Sequence, residues 1–427
     1  MRKHPILEDI SKAGIRLGID RFLSFIKFLG NPLTHFPVIH VAGTNGKGSI
    51  VRMLESCLNS SNYRVGAYIS PHLIHINERI RVGNTPISDQ ELSSLLEDTY
   101  EQAKEWGRIS LQLEDDIPIT HFELLTATAF RYFSEQKVDI AIVEVGLGGR
   151  YDATNIVSPI VSVIASISRD HMELLGFSEA SIAAEKAGII KDRVPVVVGS
   201  VRPEALRSIR AIAHERSSAM YVLGDDIRVR SSSDGIDISF LDHVYNNFPI
   251  PLLGSHQIDN MALAITVLQL IKTYFPMAKE HMIGGLKNLQ YQGRLEWITE
   301  NVLVDCAHNE AGARQLGSFL MNMKRDIPKN LVIGVSQEKD FRSIILSIAP
   351  HVDQIYTIAS EHPRAIPAAE LQEIIEELRL DAVALSSIEE IHEGINIEEE
   401  LLVVCGSIFL VGEYLFWRQQ QSIVPFG

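Results

Sequence analysis

The stretch Pro37-Val38-Ile39-His40-Val41-Ala42-Gly43-Thr44-Asn45-Gly46-Lys47-Gly48-Ser49 runs from a short apolar strand pattern through three glycines and a lysine into helical periodicity. Strand, glycine-rich loop and helix in that order make a cradle for phosphate. Loop N–H groups and the positive helix N-terminus face the anion, a lysine neutralises it, and a hydroxyl can hold Mg²⁺. Asn45, Gly46, Lys47, Gly48 and Ser49 are therefore the candidate nucleotide-phosphate residues, with Lys47 the candidate cation that neutralises the phosphate. The strict P-loop spacing is not met, because Gly48 stands between Lys47 and Ser49 and Val41 replaces the first glycine. The competing reading is a glycine-rich turn without a ligand.

Outward from this loop, short Val/Ile-rich runs alternate with longer amphipathic stretches, the pattern of βα units around a mostly parallel sheet. Strands are predicted at Pro37–Ala42, Val65–Ile69, Ile140–Val145, Ile160–Ile167 and Val194–Val198. A second series is predicted at Asn301–Asp305, Leu331–Val335, Gln354–Ile358 and Leu401–Cys405. Helical spacing predicts Ser49–Leu58, Asp89–Glu105, Phe122–Glu135, Ser178–Ile190, Asn260–Tyr274 and Pro367–Leu378, and Ser231–Asn247 reads as a β-hairpin. The helical pattern stops near Tyr291-Gln292-Gly293-Arg294. The fold class is thus α/β: an N-terminal P-loop-type domain over residues 1–294 with a mostly parallel sheet, and a smaller Rossmann-like α/β domain over 295–427.

With 427 residues, 46% hydrophobic and 22% charged, the chain has ordinary globular composition. Lys and Arg total 39 against 54 Asp and Glu, a net charge of −15, which argues against nucleic acid or an anionic membrane as partner. Anionic substrates must meet local basic groups. Three separated cysteines, Cys57, Cys306 and Cys405, suit a reducing cytoplasm and argue against a disulfide framework or thiolate zinc site. The Met1–Pro5 start lacks an apolar signal core and no apolar run reaches the ~18 residues of a membrane span, so a cytoplasmic location is expected.

Strand after strand ends in unusual polar or glycine-rich sequence, where open α/β sheets bind ligands. In the first series these are the loop itself, Ser70–His72, Glu144–Asn155 (EVGLGGRYDATN) and Ser168–His171 (SRDH). In the second they are Asp305–Asn309, Ser336–Asp340 (SQEKD), Ser360–Ala365 and Cys405–Ser407. Taken alone, Glu144 reads as a costly buried carboxylate awaiting a cation or as a surface strand end. His171 reads as a ligand or a capping histidine, and Lys186 as an exposed helix lysine.

The segments HVAGTNGKGS, SPHL with NERIRV, ITHFELLTATAF, EVGLGGRYDATN, SRDHMELLG, EKAGIIK, LLGSHQIDNMALA, GRLE, DCAHNEAG, HPRAIP and GSIFLVGE occur in an order that resembles the folylpolyglutamate synthase/dihydrofolate synthase family of the Mur ligase superfamily. The resemblance covers nearly the whole chain. It implies a Mur ligase architecture, with a folate- and ATP-binding first domain and a glutamate-ligating second one. It implies an ATP-dependent ligase that joins L-glutamate to a pteroate or folate carboxyl through an acyl phosphate. By resemblance, Ser49, Ser70, Glu144, His171 and Lys186 hold two Mg²⁺ ions, with Lys186 a carbamate and His171 and Lys186 counted with Lys47 as catalytic. Asn260, Arg294 and Asp305 serve the nucleotide's adenine, phosphates and ribose. Arg21, Thr120, Phe122, Asp152 and Ala153 line the pterin pocket, and His308 and Ser407 face the incoming glutamate.

The partners so implied are ATP, L-glutamate and dihydropteroate or reduced folates, acting on a monomer. Cys306 and Glu310 depart from the family's usual Gly and Pro, and Tyr291-Gln292 from its Trp-Pro. The turn after Asp305 is therefore either ordinary or shifted, since Cys disfavours positive φ. Rival functions are a Mur-type ligase acting on a cell-wall precursor and a P-loop switch that ligates nothing.

Overall fold

The computed structural model describes residues 5–10, 18–113 and 118–423. They group into two compact units. The first takes Met1–Ile167, Leu175–Pro251 and Gln257–Leu289; the second takes Ser168–Leu174, Leu252–His256 and Gln290–Gly427. The sequence placed one cut at 294/295. The grouping instead gives Asp170 and His171 to the C-terminal unit, because Asp170 bonds to Lys339 and Asn309 there.

The first unit is built on an eight-stranded sheet among the described residues, with strands β1 (Val38–Ala42), β2 (Val65–Tyr68), β3 (Ile80–Val82), β4 (Thr85–Pro86), β5 (Ile140–Glu144), β6 (Val161–Ile164), β7 (Val196–Val198) and β8 (Met220–Val222). Its order is β4-β3-β2-β5-β1-β6-β7-β8. The six strands from β2 to β8 in that order run parallel, and β3 and β4 form an antiparallel edge. Every residue of β1 and β5 is buried, which is why both read as mostly apolar runs, broken only by His40 in β1 and Glu144 at the end of β5. The register sets Val41 beside Glu144 and Ala42 beside Ile164, so the phosphate loop, Glu144 and the segment after β6 leave the same edge side by side.

Three further strands, β9 (Ile227–Ser232), β10 (Gly235–Phe240) and β11 (His243–Phe248), form a separate antiparallel sheet. The predicted hairpin there is one strand short. Ile227-Arg228-Val229-Arg230 alternates as a strand should, but its charges hid it from a reading keyed to apolar content. The predicted Ser178–Ile190 helix is α-helical over Glu179–Lys186 and then tightens to a 3₁₀ turn, Ala187–Ile189. Gly188 lies against Arg150, where a Cβ would stand 2.6 Å from the Arg150 Cα.

The second unit carries a six-stranded sheet of β12 (Glu296–Thr299), β13 (Val302–Val304), β14 (Lys329–Ile333), β15 (Gln354–Thr357), β16 (Val383–Ala384) and β17 (Leu401–Cys405), in the order β12-β13-β17-β14-β15-β16. All pairs are parallel except β12 with β13. Leu303, Leu331, Val403, Ile344 and Leu316 sit in its core. Both units are thus mostly parallel α/β layers, as the alternation predicts. No helix among the described residues is long and apolar enough to cross a membrane.

Candidate active site

The loop after β1 is stitched to the segment after β6. Thr44 N donates to Ser166 O at 2.8 Å, Asn45 N donates to Ser166 Oγ at 3.0 Å, and Ser166 Oγ donates back to Asn45 O at 2.9 Å. Gly46 caps the Lys47–Ser60 helix at φ 85°, a left-handed conformation that glycine adopts without strain. A Cβ there would stand 2.4 Å from Asn260 Oδ1, and Asn260 is itself fixed by donating to Gln257 Oε1 at 2.9 Å. The structure therefore brings Asn260 onto the loop. Gly46→Ala is expected to cost about 1–3 kcal/mol through backbone strain and to raise KM for ATP. Denaturant unfolding with and without ADP, together with initial rates, measures both.

Lys47 Nζ donates to Gly43 O at 3.0 Å and to Thr44 O at 3.3 Å, and lies 3.9 Å from Glu144 Oε1. Lys186 Nζ donates to the same Gly43 oxygen, also at 3.0 Å. Two ammonium groups thus share one carbonyl beside a buried carboxylate. Lys186 is only 5% exposed, so it is no surface lysine. Its segment interlocks with the glycine loop after β5: Arg150 N donates to Glu185 O at 2.9 Å, and Asn155 Nδ2 donates to Arg150 O at 2.9 Å and Gly188 O at 3.1 Å. Ser49 is buried in the helix's first turn, and Ser70 follows β2 partly exposed.

The donor set suits a hard cation only in part. Glu144 and Ser49 offer the oxygen ligands that Mg²⁺ prefers, whereas Lys186 as an ammonium repels a cation and needs conversion to an anion. Among the described residues no three His, Cys, Asp or Glu side chains converge as a metal site. Without an anion at Lys186, the first unit offers a cation here one carboxylate, Glu144, and the hydroxyl groups of Ser49 and Ser70.

The residues assigned to the pterin gather around the start of the His121–Glu135 helix. Thr120 caps it in a reciprocal box with Glu123, the Thr120 N–H donating to Glu123 Oε2 at 2.7 Å and the Glu123 N–H to Thr120 Oγ1 at 3.2 Å. Arg21 reaches Glu123 Oε1 at 2.5 Å and also donates to the Pro118 carbonyl. The Asp20–Phe28 helix presents Arg21 this way by burying Phe22, Phe25 and Ile26 on its other face. Phe122 packs on Tyr68 with ring centroids 6.0 Å apart, and is only half-buried. Asp152 caps the Ala153–Ile156 turn, accepting from Thr154 N at 2.9 Å and Leu147 N at 2.8 Å. Burial raises its pKa, and the hydrogen bonds from Thr154, Leu147 and Gly146 oppose that rise. Two arginines of the β3 region are tied down by side chains: Arg79 Nε donates to His72 Nδ1 at 2.9 Å and Arg81 Nε to Glu55 Oε1 at 3.2 Å.

In the second unit Arg294 lies between two left-handed residues, Gly293 at φ 72° and Leu295 at φ 45°. Asp305 holds that turn, accepting from Leu295 N at 2.8 Å and Ala307 N at 2.9 Å. Burial works against the Arg294 charge, but Tyr291, Cys306 and Asp305 outweigh it and keep the guanidinium ionised. Its carbon sits 5.4 Å from the Tyr291 ring centroid, so Tyr291 supplies a cation–π face. Cys306 is buried and does not take a positive φ, so the turn after Asp305 is ordinary and Cys is tolerated in place of Gly. Ser407 is buried at the start of the Ile408–Ile423 helix, accepting from Phe409 N at 3.2 Å.

One cluster in this unit was not read from the sequence. Asp170 accepts from Lys339 Nζ at 2.5 Å and Asn309 Nδ2 at 3.1 Å, with His308 Nε2 at 3.7 Å and His171 Nε2 at 3.8 Å. Burial alone would raise the Asp170 pKa. The nearby His308, Lys339 and His171 reverse this and hold it well below the usual carboxylate range. His308 Nδ1 lies 2.9 Å from the Cys306 carbonyl, which only accepts, so Nδ1 carries the proton. Asp170 therefore gathers His171, His308 and Lys339 into one basic group. Two hints were available: SQEKD held Lys339 at a strand end, and an acid, Asp170, precedes His171.

A family model for the Mur ligase middle domain matches residues 41–268, and one for the dihydrofolate synthetase C-terminal domain matches 288–417. The dihydrofolate synthase/folylpolyglutamate synthase of Bacillus subtilis (strain 168) is 34% identical over 94% of this chain and 95% of its own. The chain belongs to this family. Escherichia coli FolC, solved in complex with DHPP and ADP, superposes with TM-score 0.87 at 30% identity, covering 97% of this chain and 96% of that one. The bifunctional folylpolyglutamate synthase/dihydrofolate synthase of Yersinia pestis CO92, complexed with AMPPNP and Mn ion, gives TM-score 0.85 at 31% identity, with the same coverage. Membership accounts for both sheets and for the motif order along the chain.

Proposed function

We propose that the chain is an ATP-dependent ligase that forms an amide between L-glutamate and a pteroate or folate carboxyl. The observation that carries this is Lys47 of the phosphate loop beside Glu144 at the end of β5, in a chain belonging to the folate-ligase family. The substrate carboxylate takes the γ-phosphate of ATP, giving an acyl phosphate and ADP. The glutamate amine then attacks the acyl carbon, phosphate leaves and the amide forms.

Bringing a carboxylate onto a triphosphate needs positive charge held in place before reaction. Lys47 and the N–H groups of Asn45 to Ser49 would supply it in the first unit, and Arg294 in the second. Asn260 would hold the adenine and Asp305 the ribose. Arg21, Thr120, Phe122, Asp152 and Ala153 would bind the pterin, and His308 and Ser407 the glutamate.

A divalent cation, which we read as Mg²⁺ at two sites, would be held by Ser49, Ser70, Glu144, His171 and a carbamate of Lys186. When bound it neutralises the transferring phosphate. We further read the chain as carrying both the dihydrofolate and folylpolyglutamate synthase activities. It would act in the cytoplasm as a monomer on small molecules, with the functional division near residue 294; its net charge of −15 disfavours nucleic acid as a partner.

Release of ADP from ATP tests the reading. It is expected to require L-glutamate together with either dihydropteroate or tetrahydrofolate, and to be absent with a muramyl peptide. ADP release without glutamate would fit a nucleotide switch instead, and turnover of the muramyl peptide a cell-wall ligase.

A further inference from the structure

His40 stands in the middle of β1 with no exposed surface, a polar residue inside an otherwise apolar strand. Its Nε2 lies 2.9 Å from Thr154 Oγ1, while its Nδ1 is buried without a hydrogen-bond partner. Burial, seconded by the charge of Lys191, lowers its pKa to about 3, so the ring is neutral. A histidine kept only for packing would be an expensive choice there, since leucine leaves no orphaned nitrogen.

The hydrogen-bond direction is fixed by counting protons. Thr154 Oγ1 has one proton, and its bond to Asp152 Oδ1 uses it when Asp152, which already accepts from the Leu147 and Thr154 N–H groups, is the carboxylate. The hydroxyl must then accept from His40, which places the ring proton on Nε2 and leaves Nδ1 as an unfilled acceptor. The chain runs one way, from His40 through Thr154 to Asp152. Lys191 Nζ, donating to Asn155 O at 2.8 Å, adds a positive charge beside it. Aligned donors polarise one another and strengthen the last acceptor's hold in a low-dielectric interior.

We propose that His40 is a positioning residue for the pterin pocket, holding the buried Asp152 carboxylate in place through Thr154. This rests on the reading of Asp152 as a pterin-binding residue. His40 touches no substrate; it sets the orientation of a group that does.

The test compares His40→Leu, His40→Gln, Thr154→Val and the His40→Leu/Thr154→Val double variant in the full-length enzyme, by KM for dihydropteroate, KM for ATP and Tm. His40→Leu is expected to raise KM for dihydropteroate about ten-fold, roughly one hydrogen bond's contribution, with KM for ATP and Tm near wild type. His40→Gln, whose amide nitrogen reaches the Nε2 position, is expected to recover most of that loss. The double variant is expected to be no worse than Thr154→Val alone, because both break one chain.

Wild-type KM for dihydropteroate in His40→Leu, an equal rise in KM for ATP, or failure of His40→Gln to recover would each overturn the proposal. If His40→Leu does not fold, Thr154→Val decides, and an unchanged dihydropteroate KM in it has the same meaning. Asp152→Asn separates the two levels. With no rise in dihydropteroate KM it removes the pterin reading and this proposal together. With a rise, a silent His40→Leu removes the proposal alone.

Discussion

Lys47→Ala is expected to lower kcat by about 10²–10³-fold, the range found when one fixed donor to developing charge is removed, while the fold survives. The ammonium lies at the loop mouth on the Gly43 and Thr44 carbonyls, 3.9 Å from Glu144, and contributes nothing to the apolar cores. Its removal leaves both carbonyls accessible to water or to the helix start. Lys47→Arg should recover little, because the guanidinium is planar and bulkier than the compact ammonium the loop encloses. ADP release under saturating substrates, with thermal denaturation as control, checks both variants. A wild-type rate in Lys47→Ala would take the loop out of the mechanism, and a collapsed Tm would show that the lysine is structural.

The parallel strands were legible because burial on both faces writes them as short continuous runs of Val and Ile, with ligand-bearing loops at their carboxyl ends. Val38–Ala42, Ile140–Glu144 and Leu401–Cys405 fall within a residue or so of their expected bounds. The phosphate loop and the Thr120-to-Glu123 box are local, and a few neighbouring residues specify each. What stayed hidden depends on separation along the chain. Lys339 and Asp170 lie 169 residues apart, and no periodicity links them. Neither the orphaned Nδ1 of His40 nor the burial of Lys186 shows in a strand or helix pattern, since both depend on which loops pack against them. The Phe341–Ile348 helix is eight residues long, too short to show a helical period, and Gly312 and Gly317 interrupt the pattern of Glu310–Met321. The family resemblance named roles for residues whose partners only the fold could supply.

Lys186→Ala is expected to abolish ligation, and formate or acetate to restore part of it. Lys186 and Lys47 donate to one Gly43 carbonyl at 3.0 Å each, an arrangement that places two positive charges where, on the proposed reading, a transferring phosphate and its cation would also have to fit. Carbamylation would resolve the conflict: the ammonium gives up a proton, the neutral amine attacks CO₂, an N–C bond forms as one C=O π bond opens, a second proton leaves, and the group is then an anion with two oxygens. Such a group ligates Mg²⁺ as a carboxylate does. The alanine variant leaves room for a small carboxylic acid to take over that role. Lys186→Arg is expected to stay inactive with either acid, because a permanent cation then sits where the anion is needed. Incubation of the wild-type enzyme with ¹³C-labelled CO₂ should give a carbamate carbon signal that is absent from both variants. A solvated lysine would predict equal activity in all three forms, which its 5% exposure already disfavours. Full activity of Lys186→Ala in CO₂-depleted buffer would sink the carbamate and leave Glu144, Ser49 and His171 to hold any cation without it.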